Sequence, residues 1–159
     1  MKFFDSIRKI VSFGGALAAL LFLPCLILVS LVDIIGRRFF QYSSTPLQEL
    51  GSQLFFASVM FAIGYTYLKD RHVRIDILRD KFSAKLRTRI ERILLIIFLL
   101  PFCAVILVFG IRMTWLSYLQ DEGSRAALGL SARWIVKSAL PIGALLAFLA
   151  GLSHLAGSK

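Results

Sequence analysis

The chain contains few of the residues that catalytic and metal sites require. Cys25, Cys103, His72 and His154 are its only cysteines and histidines, and they are scattered through 159 residues. Zinc sites and disulfide-exchange sites need such residues at short, regular spacing. No glycine-rich loop of the kind that holds phosphate groups is present either. We therefore expect no catalytic residue, no metal site and no cofactor, and we interpret both cysteines as small core residues.

Acidic residues are scarce, since nine Asp and Glu stand against nineteen Lys and Arg, for a net charge of +10. Three runs, 10–32, 50–68 and 93–111, contain no charged residue at all, and a fourth apolar run covers 138–152. A run of about 20 apolar residues matches a hydrocarbon core about 30 Å thick, and in lipid it must be helical. The sequence predicts one all-α integral membrane domain with four transmembrane helices, at about 10–32, 48–68, 93–111 and 136–155.

The distribution of Lys and Arg predicts how the chain is threaded through the membrane. Nine of the nineteen lie in the basic connection 69–92, and the N-terminus and Lys159 add four more on the same side. Six remain for the opposite side, which includes the segment 112–134. Because basic loops stay in the cytoplasm, we expect both termini and the basic connection to be cytoplasmic, with the segment 112–134 on the outer side.

The basic connection contains a helical stripe, in which Leu78, Phe82, Leu86 and Ile90 recur every four residues. This pattern predicts an amphipathic helix in the membrane interface before the third span, with a bend near 91–93. A solvated extension of the third span is the alternative. Nucleic acid is not an expected partner, because Phe82 is the connection's only aromatic residue and lies on the apolar stripe. The candidate contacts for phospholipid headgroups are Arg71, Arg74, Arg79, Lys81 and Lys85.

Small residues recur at every fourth position of the last span. They are Ala139, Gly143, Ala147 and Gly151. In lipid, small residues let helix backbones approach each other, so this stripe predicts a helix-packing face. Prolines inside the predicted first, third and fourth spans indicate kinks.

The centres of the predicted spans lack charge, and Asp33, Glu49 and Lys137 lie near span ends. Transporters that move ions through their own core keep ionisable groups at depth. We therefore interpret the chain as a partner of a transport protein. The alternative is an autonomous, homodimeric small transporter that uses Asp33 and Glu49. A membrane enzyme or redox protein is disfavoured, because Cys and His are not paired.

Four motifs occur in an order that covers nearly the whole chain. Arg37 and Arg38 follow the first span, Glu49 opens the second in PLQELGSQLF, HVRID at 72–76 begins eight residues after Gly64, and LPIG at 140–143 enters the last span. This order resembles the small membrane subunit (DctQ type) of the tripartite ATP-independent periplasmic (TRAP) transporters. The sequence departs from that pattern at Pro46 and Gln48, where the family often has Trp and a second acidic residue.

The resemblance implies a small, non-catalytic scaffold subunit of a sodium-coupled importer of organic acids, either carboxylates or sugar acids. Its implied partners are a large membrane subunit, a periplasmic substrate-binding protein and phospholipid. Its implied location is the inner (cytoplasmic) membrane of a bacterium or archaeon, as a multi-pass protein.

We expect structural or interface roles for the residues of these motifs. Asp76 is a candidate helix cap, and His72 is a candidate interface histidine bonded to backbone. Glu49 is expected to pair with Arg37 or Arg38 and so fix the first turn between spans. Contact between these residues and the binding protein is the alternative.

Overall fold

A computed structural model describes residues 2–42, 44–69, 83–124, 126 and 129–157. All regular secondary structure in these residues is helical. The α-helices are α1 (Lys2–Leu17), α2 (Leu23–Phe40), α3 (Thr45–Leu68), α4 (Ala84–Leu94), α5 (Leu100–Leu119) and α6 (Trp134–Gly157). A π-helical segment, Ala18–Phe22, joins α1 to α2, and we call this continuous helical stretch the first rod. Another π-helical segment, Leu95–Leu99, joins α4 to α5, and we call that stretch the third rod because it contains the predicted third span.

Each π-helical segment is followed directly by a proline-containing turn. Pro24 lies in the first turn of α2, and Pro101 in the first turn of α5. Proline has no N–H group, and its ring crowds the carbonyl four residues earlier. In both rods that carbonyl belongs to the π-helical segment, whose wider i→i+5 turn relieves the crowding. Pro141 lies inside α6, where the helix is described as α-helical throughout.

Helix α6 lies at the centre of the bundle. Its Gly143 meets Met60 of α3 on one side, and its Pro141 meets Gly110 of α5 on the other. The Phe22 ring of the first rod packs edge-on against Phe61 of α3. Gly64 of α3 also meets Leu146 of α6, so contacts advance in the same order along both helices and α3 is parallel to α6. Gly51 lies near Val29 and Tyr65 meets Gly15, so α3 is antiparallel to the first rod. We call the end with the turns 41–44 and 120–133 the loop end and the opposite one, with both termini, the terminal end.

Three helical stretches among the described residues are long and apolar enough to cross a membrane. They are Phe4–Phe40, Thr88–Leu119 and Trp134–Leu155. The all-α, membrane-type architecture is therefore confirmed, but three candidate spans are found where four were expected. Helix α3, which covers the expected second span, is not among the three. Its first turns carry polar side chains, Gln48, Glu49, Ser52 and Gln53, which reduce its apolar content.

The basic helix before the third span is described only from Ala84 onward, so the start of the predicted apolar stripe lies outside the described residues. Helix α4 continues into Leu95 with helical backbone angles, and no bend interrupts it at 91–93. The irregularity lies instead at Leu95–Leu99, just before the turn that contains Pro101. In the described part, α4 is thus a helical extension of the third rod, as the alternative interpretation had it.

Candidate functional site at the loop end

Glu49 fixes the segment between α5 and α6 against α3. Pro46 starts α3, at a position where its missing N–H costs no hydrogen bond, and Glu49 lies just past that first turn. Its Oε1 accepts a hydrogen bond from the hydroxyl of Ser124. Its Oε2 accepts one from the backbone N–H of Leu130 at 2.8 Å. Hydrogen bonds to a carboxylate are stronger than neutral ones, so Glu49 is a firm anchor for residues 120–133.

The anchored segment also closes on itself. The N–H of Ser124 donates to the carbonyl of Leu130 at 3.0 Å, and Gly129 donates to the carbonyl of Ala126 at 3.0 Å. A Cβ atom added at Gly129 would collide with the Ser124 side chain and lie 2.9 Å from Oε1 of Glu49. The close approach of this turn to the carboxylate therefore requires glycine.

A second carboxylate, Glu122, ties the same segment to the start of α6. The ammonium group of Lys137 donates to its Oε2, and the guanidinium of Arg133 lies 3.9 Å from its Oε1. The N–H of Arg133 also donates to the backbone carbonyl of Glu122 at 3.0 Å. Lys137 first, and Arg133 to a smaller extent, lower the pKa of Glu122. Glu122 is therefore ionised at neutral pH, and its charge is matched by two basic side chains.

The backbone of this segment adopts a conformation that it would not choose by itself. Asp121 and Ala132 have φ angles of 44° and 58°, in the left-handed region. Aspartate tolerates this region, but alanine rarely adopts it. Such a residue costs on the order of 1–3 kcal/mol and persists where its surroundings over-determine it. The hydrogen bonds of Glu49 and Glu122 provide that constraint on the two sides of Ala132.

The expected pairing of Glu49 with Arg37 or Arg38 is wrong. Nη2 of Arg37 donates instead to Oδ2 of Asp33 at 2.6 Å, one turn earlier on α2. Residues four apart on a helix are neighbours, whereas Glu49 is already engaged by the segment 120–133. The spacing of Asp33 and Arg37 is a signal that could have indicated this pair. Nothing in the sequence indicates the contacts of Glu49, whose partners lie 75 and 81 positions away.

The small-residue stripe of α6 is buried between helices of the same chain. All four of its members, Ala139, Gly143, Ala147 and Gly151, are buried. A Cβ on Gly143 would lie 2.7 Å from the carbonyl oxygen of Met60, and one on Gly151 would lie 3.3 Å from Leu100. The stripe therefore faces α3 and α5.

Next to this stripe, α6 packs against glycines of two other helices. Leu146 is buried against Gly14 of α1 and Gly64 of α3, where added Cβ atoms would lie 2.7 Å and 2.8 Å from it. Around it, Ile7, Val11 and Ala150 complete the buried apolar cluster. The first rod is thereby packed against α6 near the terminal end.

Most residues predicted to contact lipid lie outside the described residues, namely Arg71, Arg74, Arg79 and Lys81, while Lys85 belongs to α4. His72 and Asp76, predicted to have structural or interface roles, are also outside the described residues. Their expected roles therefore remain predictions.

The bundle leaves broad apolar faces uncovered on the first and third rods. Ile27 and Leu28 on α2 are more than half exposed, as are Phe102 and Phe109 on α5. Large contiguous apolar patches are rare on soluble monomers and mark membrane or protein contact surfaces. These faces are suited to lipid or to the helices of another membrane protein.

A comparison with known families identifies the setting in which such a bundle works. Residues 26–158 match the family described as tripartite ATP-independent periplasmic transporters, DctQ component. The chain belongs to the DctQ family. No curated protein matches this DctQ chain. The family match covers Glu49, Glu122 and the complete segment between them, so the loop-end anchors lie within the DctQ domain.

The resemblance noted from the sequence motifs is confirmed by this membership. DctQ proteins are the small membrane components of TRAP transporters, which also contain a large membrane subunit and a periplasmic binding protein. The chain is accordingly a small TRAP transporter component.

Proposed function

We propose that this DctQ protein is the non-catalytic scaffold subunit of a sodium-coupled TRAP transporter that imports an organic acid, either a carboxylate or a sugar acid. It works with a large membrane subunit and a periplasmic binding protein in the inner membrane of a bacterium or archaeon. The observation that carries this proposal is the family match over residues 26–158.

The use of charge at the loop end supports a structural role. Glu49 binds the segment 120–133, and Glu122, which lies in that segment, binds Lys137 of α6. Among the described residues, no three His, Cys, Asp or Glu side chains group as they would to hold a metal ion. The carboxylates of Glu49 and Glu122 are thus bonded within the chain, which supports a scaffold role.

The proposal includes four spans, with α3 as the second. Helix α3 has 24 residues, about 36 Å at 1.5 Å per residue, which is long enough for the hydrocarbon core. It lies beside α6, a candidate span, from the Gly143–Met60 contact to the edge-to-face contact between the rings of Tyr67 and His154. A helix packed along a span in this way shares its membrane depth, so its polar first turns mark the loop-end interface.

The orientation follows from the positive charges in the sequence. The terminal end and the connection 69–92 are cytoplasmic, where the basic side chains contact anionic lipid headgroups. The loop end then faces the periplasm, and the described residues of the segment 120–133 belong to the surface available to the binding protein.

Purification from the native host tests the proposal. The tagged chain would be extracted in a mild detergent and its stoichiometric partners identified by mass spectrometry. We expect a much larger membrane protein with about a dozen predicted spans. Recovery of a homodimer that transports a solute by itself would contradict the proposal and support an autonomous transporter.

The purified complex also allows sodium coupling and substrate class to be tested. After reconstitution into vesicles with the binding protein, uptake of labelled organic acids would be measured with and without an inward sodium gradient. We expect uptake only with the gradient. Equal uptake in its absence would contradict sodium coupling while leaving the subunit assignment intact.

A further inference from the structure

Asp33 of α2 is a buried carboxylate with half of its hydrogen-bonding capacity unused. Its side chain is 10% exposed, and its Oδ2 accepts the bond from Arg37, whose side chain is 51% exposed. Its Oδ1 is buried and has no hydrogen-bond partner among the described residues. A buried acceptor at a charged group is costly to leave without a donor. This oxygen therefore marks a place where the isolated chain lacks a donor.

A cleft between α2 and α3 lies beside this carboxylate. Its volume is about 300 Å³, and its polar lining comes from Ser30, Asp33, Arg37, Gln48 and Ser52. The hydroxyl of Ser52 donates to the carbonyl of Glu49 at 2.8 Å, so its oxygen can still accept a hydrogen bond. The combination favours a hydrogen-bond donor, and the unshared part of the carboxylate charge favours a cationic one.

The surroundings of the cleft favour a side chain of another membrane protein over a lipid headgroup as the donor. The neighbouring α2 residues Leu31, Val32 and Ile34 are apolar and about half exposed. A Lys or Arg on a membrane helix is expensive unless it is paired, and Asp33 offers that pairing within an apolar contact surface.

We propose that the Asp33 cleft receives a Lys or Arg side chain from the large membrane subunit, so that α2 forms part of the interface between the two membrane subunits. The inserted group donates to Oδ1 of Asp33 while Arg37 keeps its bond to Oδ2. This inference rests on the proposed function, because it requires the large subunit as partner.

Photo-crosslinking in the intact complex tests the occupant directly. The photoreactive residue p-benzoylphenylalanine would replace Ile34, which lines the cleft and is 56% exposed. The adduct formed in native membranes would be identified by mass spectrometry. We expect a covalent product with a peptide of the large subunit that contains or adjoins a Lys or Arg. An adduct with phospholipid alone would overturn the inference.

Removal of the charge provides a second test, with a matched control on the same protein. Asp33→Asn keeps the side-chain size, and Asp5→Asn removes the same charge from an exposed position in the first turn of α1. We expect about tenfold weaker retention of the large subunit for Asp33→Asn, the effect of one hydrogen bond to a charged group. The control is expected to retain it like the unmodified chain. Equal retention by both variants would overturn the inference.

A charge exchange covers the case in which Asp33 variants are poorly folded. Asp33→Lys is expected to lose the large subunit and to regain it when the crosslinked Lys or Arg is changed to Asp. Failure of that rescue, with both chains present in the membrane, would count against the contact. If the unmodified chain retains no large subunit, the proposed function itself fails. If it does retain the subunit while these variants behave normally, this inference alone fails.

Discussion

Alanine at Gly143 should weaken the contact between α3 and α6. A Cβ at this position lies 2.7 Å from the carbonyl oxygen of Met60 and 2.8 Å from its Cβ. Both distances are shorter than carbon atoms normally approach in proteins. The carbonyl belongs to the backbone of α3, so a rotated side chain cannot relieve the collision. The two helices must separate instead, and the neighbouring contacts along α6 must loosen with them.

Two effects of opposite sign set the size of the change. Overfilling a well-packed interior costs about 1–3 kcal/mol, while replacing glycine by alanine within a helix gains about 1 kcal/mol. The expected net loss of stability for Gly143→Ala is therefore about 0–2 kcal/mol. That range includes zero, so the experiment needs a control. The control must gain stability from replacing glycine by alanine in a helix without the collision.

Gly51 provides that control. It lies inside α3, and a Cβ there would be 3.8 Å from Val29, an ordinary contact. Gly51→Ala therefore keeps the propensity gain, and the difference between the two variants isolates the collision. We expect Gly143→Ala to be less stable than Gly51→Ala by about 1–3 kcal/mol.

Unfolding in mixed detergent micelles measures this difference. Each variant would be titrated with sodium dodecyl sulfate while the fluorescence of Trp115 and Trp134 and the helical circular dichroism are recorded. A midpoint for Gly143→Ala at clearly lower denaturant than that of Gly51→Ala is the expected result. Equal midpoints, or a Gly143→Ala variant more stable than the unmodified chain, would refute the close approach of α3 and α6.

Three further predictions concern the two ends of the bundle. Glu49→Gln weakens a charge-assisted anchor, so limited proteolysis should cut the segment 120–133 several-fold faster; an unchanged cleavage rate would contradict the anchoring role. Glu122→Gln should lower the melting temperature at pH 7 by an amount that shrinks as the pH falls below about 4.3. The reason is that the pKa of Glu122 is lowered in the folded state, and its contribution is lost as the group is protonated; a difference constant from pH 7 to pH 3 would argue against it. Cysteine at the exposed position Gly123 should react with a membrane-impermeant thiol reagent in intact cells, whereas cysteine at Ser83 should react only after permeabilisation; the reverse pattern would invert the proposed topology.

The helices were predictable because a membrane leaves the backbone few choices. An uncharged apolar run must satisfy its own N–H and C=O groups, so the apolar content of the chain alone indicates helices. The small-residue stripe likewise indicated which side of α6 packs closely, but not against what. Its neighbours proved to be α3 and α5, since Gly143 meets Met60 and Gly151 meets Leu100. A stripe of small residues indicates that another helix approaches closely, but it does not indicate which helix.

The contacts of the loop end could not be read from the sequence for a different reason. Glu49 and Leu130 are 81 positions apart, and only the packing of α3 beside α6 brings them together. An expected position on the same outer side suggested Arg37 or Arg38 as the partner of Glu49, but the helix offers Arg37 a closer carboxylate four residues away. The geometry of a single helix therefore determines the Asp33–Arg37 pair, and the packing of the helices determines the contact between Glu49 and Leu130. In neither case did opposite charge on the same side of the membrane suffice.

The placement of charge distinguishes the fixed parts of this DctQ protein from the part left for a partner. Glu49 and Glu122 have donors within the chain, and both hold one segment over the ends of α3 and α6. Such internal bonds stiffen this end of the bundle, which fits the proposed scaffold role. Asp33 differs from both, since one of its buried oxygens has no donor among the described residues. It lies on α2, whose apolar side chains the bundle leaves exposed. An unused acceptor within an uncovered apolar face is the arrangement expected of an interface that is completed by another chain, and for that reason the attachment of the large subunit is better sought along α2 than at the internally bonded loop end.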